Sequence, residues 1–270
     1  MARAPDDLER LVAQVLASGK YRALHPAVVR AIGAQELAAR GSLKAAVKAT
    51  KGRLHQIAGA FLTRTPPYAA WLTALRDAAG DAARLRAVCL EALSQHASTR
   101  ERLPDLEQFY PAIFAALPPV SSVMDLACGL NPLAAPWMPL APGASYLACD
   151  VYSDLSAFLG AALPLLGLNG MSGVCDLTGA PPPWRADVAL LLKTLPLLEH
   201  TRRGAGRDLL QAIDAPYLVV SFPTRSLGGR NVGMAATYTA HMHAIAAVAA
   251  WQLQTLEFAN EIVFVVRKES

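Results

Sequence analysis

The chain has 270 residues, 53% of them hydrophobic, enough for one large domain or two modest ones around a substantial core. No uninterrupted apolar run approaches the roughly 20 residues of a membrane span. The opening Met1-Ala-Arg-Ala-Pro-Asp-Asp7 lacks a signal peptide's apolar segment, so a cytoplasmic protein without a membrane partner is expected. The net charge of +4 hides a division: residues 1–105 hold 16 Lys+Arg against 9 Asp+Glu (+7), and residues 106–270 hold 9 against 12 (−3).

The first part reads as helices. Asp6-Asp7 opens one that ends near Gly19, and Pro26 starts a second that runs to Gly41. Ser42 is a good N-cap for a third, continuing to about Leu62 before Thr65-Pro66-Pro67 stops it. On this helix Leu43, Val47, Leu54, Ile57 and Phe61 recur at helical spacing and predict a buried stripe. Lys44, Lys48, Lys51 and His55 follow i, i+4, i+7 and i+11 and form an adjacent stripe. Three lysines in line with no acid among them match a row of phosphates better than a salt-bridge ladder, although lysines also simply keep a helix soluble. Two more helices are expected at 67–79 and 81–96. Then comes His96-Ala-Ser98-Thr-Arg-Glu-Arg102, where Thr99 is read as the cap of a short helix that Pro104 interrupts. A basic helical module of residues 1–105 on a mildly acidic module of residues 106–270 suggests that the first half meets a polyanion.

From about residue 106 the period changes. Strands are expected at 121–128, 144–150, 171–176, 186–193 and 216–222, with helices or loops between them, which predicts a parallel sheet. Two further strands, 253–258 and 261–267, flank only Ala259-Asn260 and read as an antiparallel hairpin at the sheet's edge. Parallel strands finished by a reversed hairpin resemble the Rossmann-like methyltransferase fold, so the fold class is α/β with an all-α domain in front. The run Val123-Met-Asp-Leu-Ala-Cys-Gly129-Leu-Asn-Pro132 is a buried strand that turns at a glycine. The next strands end at Asp150 and at Asp176-Leu177. A glycine after the first strand lets a ligand lie against bare backbone, and a carboxylate closing the next accepts both hydroxyls of a ribose. The pattern lacks the further glycines that let a pyrophosphate approach, so a nucleoside without phosphates, such as S-adenosylmethionine, fits better than a dinucleotide. An ordinary strand–turn–helix is the plainer alternative.

Cys89, Cys128, Cys149 and Cys175 show no CxxC spacing and are expected to be small buried thiols, not disulfides or metal ligands. His241 and His243, two apart on an expected helix, face different directions, so no metal is expected there. Two strand ends carry cations where an open α/β sheet binds ligands: Lys193 after Leu190-Leu-Leu192, and Arg225 and Arg230 around Gly228-Gly229. Guanidinium groups there reach a phosphate or a guanine edge, although incidental arginines in a surface loop are the alternative.

Six segments together carry a family resemblance: Lys20-Tyr21; Leu43 to Lys51 with Leu54-His-Gln-Ile57; Ser98-Thr-Arg-Glu-Arg102; Cys128-Gly-Leu-Asn-Pro132; Leu192-Lys193; and Ser221-Phe-Pro-Thr-Arg-Ser-Leu-Gly-Gly-Arg230. Over nearly its whole length the chain resembles the aminoglycoside-resistance 16S rRNA guanine-N7 methyltransferases, which modify guanosine 1405. The resemblance implies a helical domain that docks on the assembled 30S subunit and an S-adenosylmethionine-binding domain, working as a monomer. It implies that Arg102 holds the methionine carboxylate, that Ala127 and Gly129, with His96 and Ser98 nearby, line the methionine end, and that Asp150 binds the ribose. By the same resemblance, Asp176, Leu177 and Leu192 would surround the adenine, and Lys193, Arg230 and Arg225 would face the target; Lys44, Lys48, Lys51, Arg53 and His55 are expected to meet the RNA. Thr201 departs from the longer amide the family pattern leads one to expect there.

The chemistry agrees with what the sequence lacks. Guanine N7 carries an in-plane lone pair and needs no general base, so transfer from a sulfonium requires mainly proximity and alignment. N7 faces the deep, narrow major groove of A-form RNA, so the base must be exposed or flipped. A small-molecule methyltransferase leaves the basic helical part idle, and a silent ribosome-assembly factor leaves Gly129, Asp150 and Asp176 idle.

Overall fold

Seven segments form strands in the computed structural model, which describes residues 5–57, 66–224 and 234–269. They are β1 (Val120–Leu126), β2 (Leu140–Asp150), β3 (Asn169–Val174), β4 (Val188–Leu192), β5 (Tyr217–Pro223), β6 (Gln252–Glu257) and β7 (Glu261–Arg267). They make one sheet in the order β3-β2-β1-β4-β5-β7-β6. The first five run parallel, and β7 pairs antiparallel with both β5 and β6. The β6–β7 turn holds Ala259 and Asn260, with Phe258 N–H donating to the Glu261 carbonyl at 2.9 Å. All seven expected strands are present, and the hairpin closes the edge as its short connection requires.

The central strand β4 is apolar throughout because helices cover both faces of the sheet. Alternate residues divide between two cores: Val123, Val188, Leu190, Val219, Val263 and Val265 face one side. Met124, Ala189, Leu191, Val220, Phe264 and Val266 face the other. The edge strand β6 keeps Gln252, Gln254 and Glu257 in solvent.

The helices are α1 (Pro5–Leu16), α2 (Pro26–Ala39), α3 (Leu43–Ile57), α4 (Tyr68–Asp77), α5 (Ala82–Leu93), α6 (Ala97–Arg100), α7 (Leu106–Ala115), α8 (Ser153–Ala162), α9 (Leu195–Thr201), α10 (Ala205–Ala212) and α11 (Met234–Ala249). Ser42 caps α3 as expected, its Oγ accepting from Ala45 N–H at 3.3 Å. Leu43, Ala46, Val47, Thr50 and Leu54 turn inward on α3; Phe61 and the side chain of Ile57 lie outside the described residues.

Two expectations are corrected. The short helix after His96 begins at Ala97, so Thr99 sits inside it; its hydroxyl donates back to the Leu93 and His96 carbonyls at 2.6 and 3.1 Å instead of capping the N-terminus. Cys149 and Cys175 are joined in a disulfide. They are 26 residues apart in sequence, but β2 and β3 are parallel neighbours whose ends bring their Cα atoms to 5.7 Å. Cys89 and Cys128 are buried free thiols.

The helical part packs into two cores. α1, α2 and α3 enclose their own core around Leu11, Val15, Val28, Ile32 and Leu54. α4 and α5 instead contribute Trp71, Leu75, Cys89 and Leu93 to the core beneath the sheet. The α1–α3 unit is stitched on through Leu24, which bridges to Tyr152; His25 N–H donates to the Val151 carbonyl at 3.0 Å and Ser153 N–H to the Ala23 carbonyl at 2.9 Å.

Candidate cofactor cleft

The carboxyl ends of β1, β2 and β4 define a long cleft. At one end it is lined by His96, Ser98, Gly129, Leu192 and Lys193. At the other it is lined by Cys175, Asp176, Leu177 and Leu198. Asp150, Ala127, Thr194 and Leu197 are common to both parts, so Asp150 stands at the middle.

The turn after β1 is built for close approach. Ala127 has φ 52° and Gly129 φ 51°, and a Cβ placed on Gly129 would meet His96 Cε1 at 3.0 Å. Lys193, at the end of β4, has φ 60°. Left-handed non-glycine residues are costly and cluster where a surface must be shaped for a ligand. The Asp150 carboxylate accepts from Gly129 N–H at 2.8 Å and from Val151 N–H at 2.7 Å, which ties the tip of β2 to the β1 turn. Asp176 Oδ1 accepts from the Thr178 N–H at 2.9 Å and hydroxyl at 2.6 Å.

His96 packs against Gly129, and its Nδ1 lies 2.9 Å from the Ser98 hydroxyl. Burial, then the neighbouring Arg102, Lys193 and Arg100 charges, push its pKa down to about 4, so the imidazole is neutral at pH 7. Lys193 Nζ pairs with Glu101 at 2.6 Å and Glu261 at 3.4 Å, and its backbone N–H donates to the Ser221 carbonyl and hydroxyl, each at 3.0 Å. Glu261 is a hub for these charges. Burial alone would raise its carboxyl, but Arg102 and Lys193 beside it bring it below its ordinary value.

Arg102 stands apart from the other candidates. It is 4% exposed and lines neither part of the cleft. Its Nε and Nη2 donate to the two Glu261 oxygens at 2.9 and 2.8 Å, its Nη1 donates to Asn131 Oδ1 at 3.0 Å, and its guanidinium lies over the Phe109 ring. Asn131 in turn donates to Asp125 at 2.9 Å. His96, Ser98, Ala127, Gly129, Asp150, Asp176, Leu177, Leu192 and Lys193 are brought together; Arg102 lies behind them. Arg225, Arg230 and the side chain of Thr201 lie outside the described residues.

Sequence reasoning missed Tyr68, Tyr152, Thr194 and Leu197 as lining residues. Tyr152, Thr194 and Leu197 follow the ends of β2 and β4 and are the kind of position such a strand end exposes. Tyr68 comes from α4, and no local pattern connects it to the sheet.

The candidate RNA-binding face is separate. Lys44, Lys48 and His55 are exposed and Lys51 half-buried along α3. Lys20 Nζ lies 2.8 Å from His55 Nδ1, extending the row onto the α1–α2 connection. Arg53 is engaged elsewhere: its Nη1 meets Gln35 at 2.8 Å and Glu36 at 3.2 Å on α2.

Residues 17–265 match the family model described as "Ribosomal RNA methyltransferase (FmrO)". A 16S rRNA (guanine(1405)-N(7))-methyltransferase from Micromonospora echinospora is 44% identical over 98% of this chain and 98% of its own. One of the same name from Frankia casuarinae is 46% identical over 97% and 94%. Among solved structures, 16S rRNA methyltransferase RmtF in complex with S-adenosyl-L-homocysteine superposes with a TM-score of 0.81 at 31% identity, covering 99% of this chain and 100% of that one. With a match across most of its length and relatives of this similarity, the chain belongs to the FmrO family of ribosomal RNA methyltransferases.

Proposed function

We propose that this protein methylates N7 of guanine 1405 in the 16S rRNA of the assembled 30S subunit, using S-adenosylmethionine, and so confers resistance to aminoglycosides. The observation that carries the reading is the order of groups along the cleft. A neutral imidazole, a hydroxyl and bare backbone come first, the Asp150 carboxylate stands in the middle, and an apolar slot beside Asp176 closes it. That order suits a methionine tail, a ribose and an adenine.

Asp150 accepts from the backbone N–H groups of Gly129, Val151 and Tyr152, and the acceptor capacity left on the carboxylate is available to a ribose hydroxyl. Leu177 and Leu198 offer apolar walls for the purine, and Asp176 an acceptor for its exocyclic amine. When bound, S-adenosylmethionine supplies a methyl group on a positively charged sulfur. The protein's part is then to align and to exclude water. His96 stays neutral and adds no charge beside a sulfonium, and Lys193, held at the cleft by Glu101 and Glu261, supplies a cation for the phosphates of a displaced nucleotide. Arg225 and Arg230 join it as guanidinium donors to phosphate or to the guanine edge. The exposed lysines of α3 provide docking charge for the rRNA backbone. A methyl at N7 removes an acceptor and leaves a positive charge that repels a cationic drug.

The test is reverse-transcription mapping of N7-methylguanosine in 30S subunits, naked 16S rRNA and a reaction without cofactor. A single mark at guanine 1405, made on subunits and dependent on S-adenosylmethionine, is the expected result. Lys193→Ala should lower its rate by on the order of a hundredfold, the cost of a misplacement of about 1 Å. A wild-type mark on another nucleotide, or full-rate marking by the variant, would refute the reading of the site.

A further inference from the structure

Tyr68 opens α4, in the stretch whose sequence reads as part of the RNA-docking half, yet it lines the cleft beside Gly129, Asp150 and Tyr152. Its ring is fixed from two sides. It stacks on Phe158 of α8 with centroids 4.8 Å apart and 23° between planes, and it meets Trp71 edge-on at 5.8 Å. Its hydroxyl oxygen is sealed from solvent and, among the described residues, has no hydrogen-bond partner. A buried hydroxyl left unpaired is destabilising, so such a group at a ligand cleft marks a bond waiting to be made. Burial, followed by the Asp154 and Asp150 carboxylates, pushes the phenol's pKa up, which keeps the hydrogen in place as a donor.

The complementary acceptor follows from Asp150. A ribose hydroxyl that donates to this carboxylate keeps its own oxygen lone pairs free, and Asp150 is among the charges close enough to act on Tyr68. We propose that the Tyr68 hydroxyl donates a hydrogen bond to a ribose oxygen of the bound cofactor, making a helix outside the sheet part of the cofactor site. The inference rests on the S-adenosylmethionine reading given above.

The experiment compares wild type with Tyr68→Phe in calorimetric titrations with S-adenosylhomocysteine and with adenosine, alongside urea unfolding of the cofactor-free proteins. One neutral hydrogen bond corresponds to an affinity loss of about three- to tenfold, expected for both ligands because both carry the ribose. The cofactor-free variant should unfold at the same urea concentration as wild type or a higher one, because the substitution deletes an unpaired polar atom and keeps the ring stacking. Three results would each overturn the proposal: unchanged affinity for both ligands, a loss for S-adenosylhomocysteine but not adenosine, or a less stable free protein. Failure of the wild type to bind S-adenosylhomocysteine would remove the cofactor reading itself, a result distinguishable from any effect confined to the variant.

Discussion

Asp150 and Arg102 are both buried charges, 9% and 4% exposed, whose partners differ in kind. Asp150 is held by backbone N–H groups and retains acceptor capacity toward the cleft, whereas Arg102 is committed to Glu261 and Asn131. The two alanine variants should therefore fail differently. Asp150→Ala removes charge-assisted bonds worth roughly 1.5–3 kcal/mol each, so affinity for S-adenosylmethionine should fall at least tenfold. Arg102→Ala takes two bonds from the Glu261 carboxylate, 2% exposed, leaving it Lys193 at 3.4 Å and the Ser221 hydroxyl; breaking a buried pair by removing one partner costs up to about 3–5 kcal/mol. Its loss should appear first in the urea midpoint of the cofactor-free protein. If Arg102→Ala unfolds at the wild-type midpoint but no longer binds the cofactor, the family-based role at the methionine carboxylate is right and the ion pair is incidental. The residue types and spacings made Asp150 readable from the sequence. Glu261 was not readable, because its meaning comes from residues 40 and 159 positions away.

At the scale of the element, α3 carries two stripes on one cylinder. Its inward stripe was legible because a 3.6-residue period places Leu43, Val47 and Leu54 together, and the packing adds Ala46 and Thr50 between them. Its outward stripe of Lys44, Lys48 and Lys51 has no acidic partner among the described residues, as an unpaired row of phosphate contacts requires. Arg53 shows where pattern reading stops: it is on the same helix but is turned toward Gln35 and Glu36, so its charge is already balanced. Changing Lys44, Lys48 and Lys51 together to Glu should weaken 30S binding and flatten its log–log salt dependence by somewhat under one unit per lost phosphate contact. Cofactor affinity should be unaffected, because none of the three lines the cleft. Subunit binding with wild-type affinity and slope would reduce the stripe to a solvated face.

Taken as a whole molecule, the sheet could be read from the chain because strand periodicity and short connections are local signals, whereas the assembly of helices onto it is not. The step from α3 to α4 changes which core the chain enters, and the place of Trp71 and Leu75 in the core beneath the sheet reveals it. The disulfide and Tyr68 escaped for the same reason, since both join segments that meet only in the fold. The pH response of the folded molecule is another such property, and two buried groups contribute to it with opposite signs. His96 has a folded pKa of about 4 against an ordinary 6.5, so its unfolded form binds more protons and stability is lost as pH falls from about 6.5 toward 4. Asp125, buried and bonded to Asn131 and Tyr146, is pushed up to about 6 by burial against an ordinary 3.8. Its folded form binds more protons, so stability is gained as pH falls from about 6 toward 3.8. The two slopes oppose each other between about pH 6 and pH 4. His96→Gln removes one of them, so between pH 7 and pH 5 the variant should gain roughly 1–2 kcal/mol relative to wild type. Asp125→Asn should lose stability relative to wild type over the same interval. Urea unfolding at the two pH values measures this directly, and comparing variant with wild type cancels every other titrating group. A difference between His96→Gln and wild type that is the same at pH 7 and pH 5 would show that His96 does not titrate abnormally, and the neutral imidazole beside the sulfonium would lose its support.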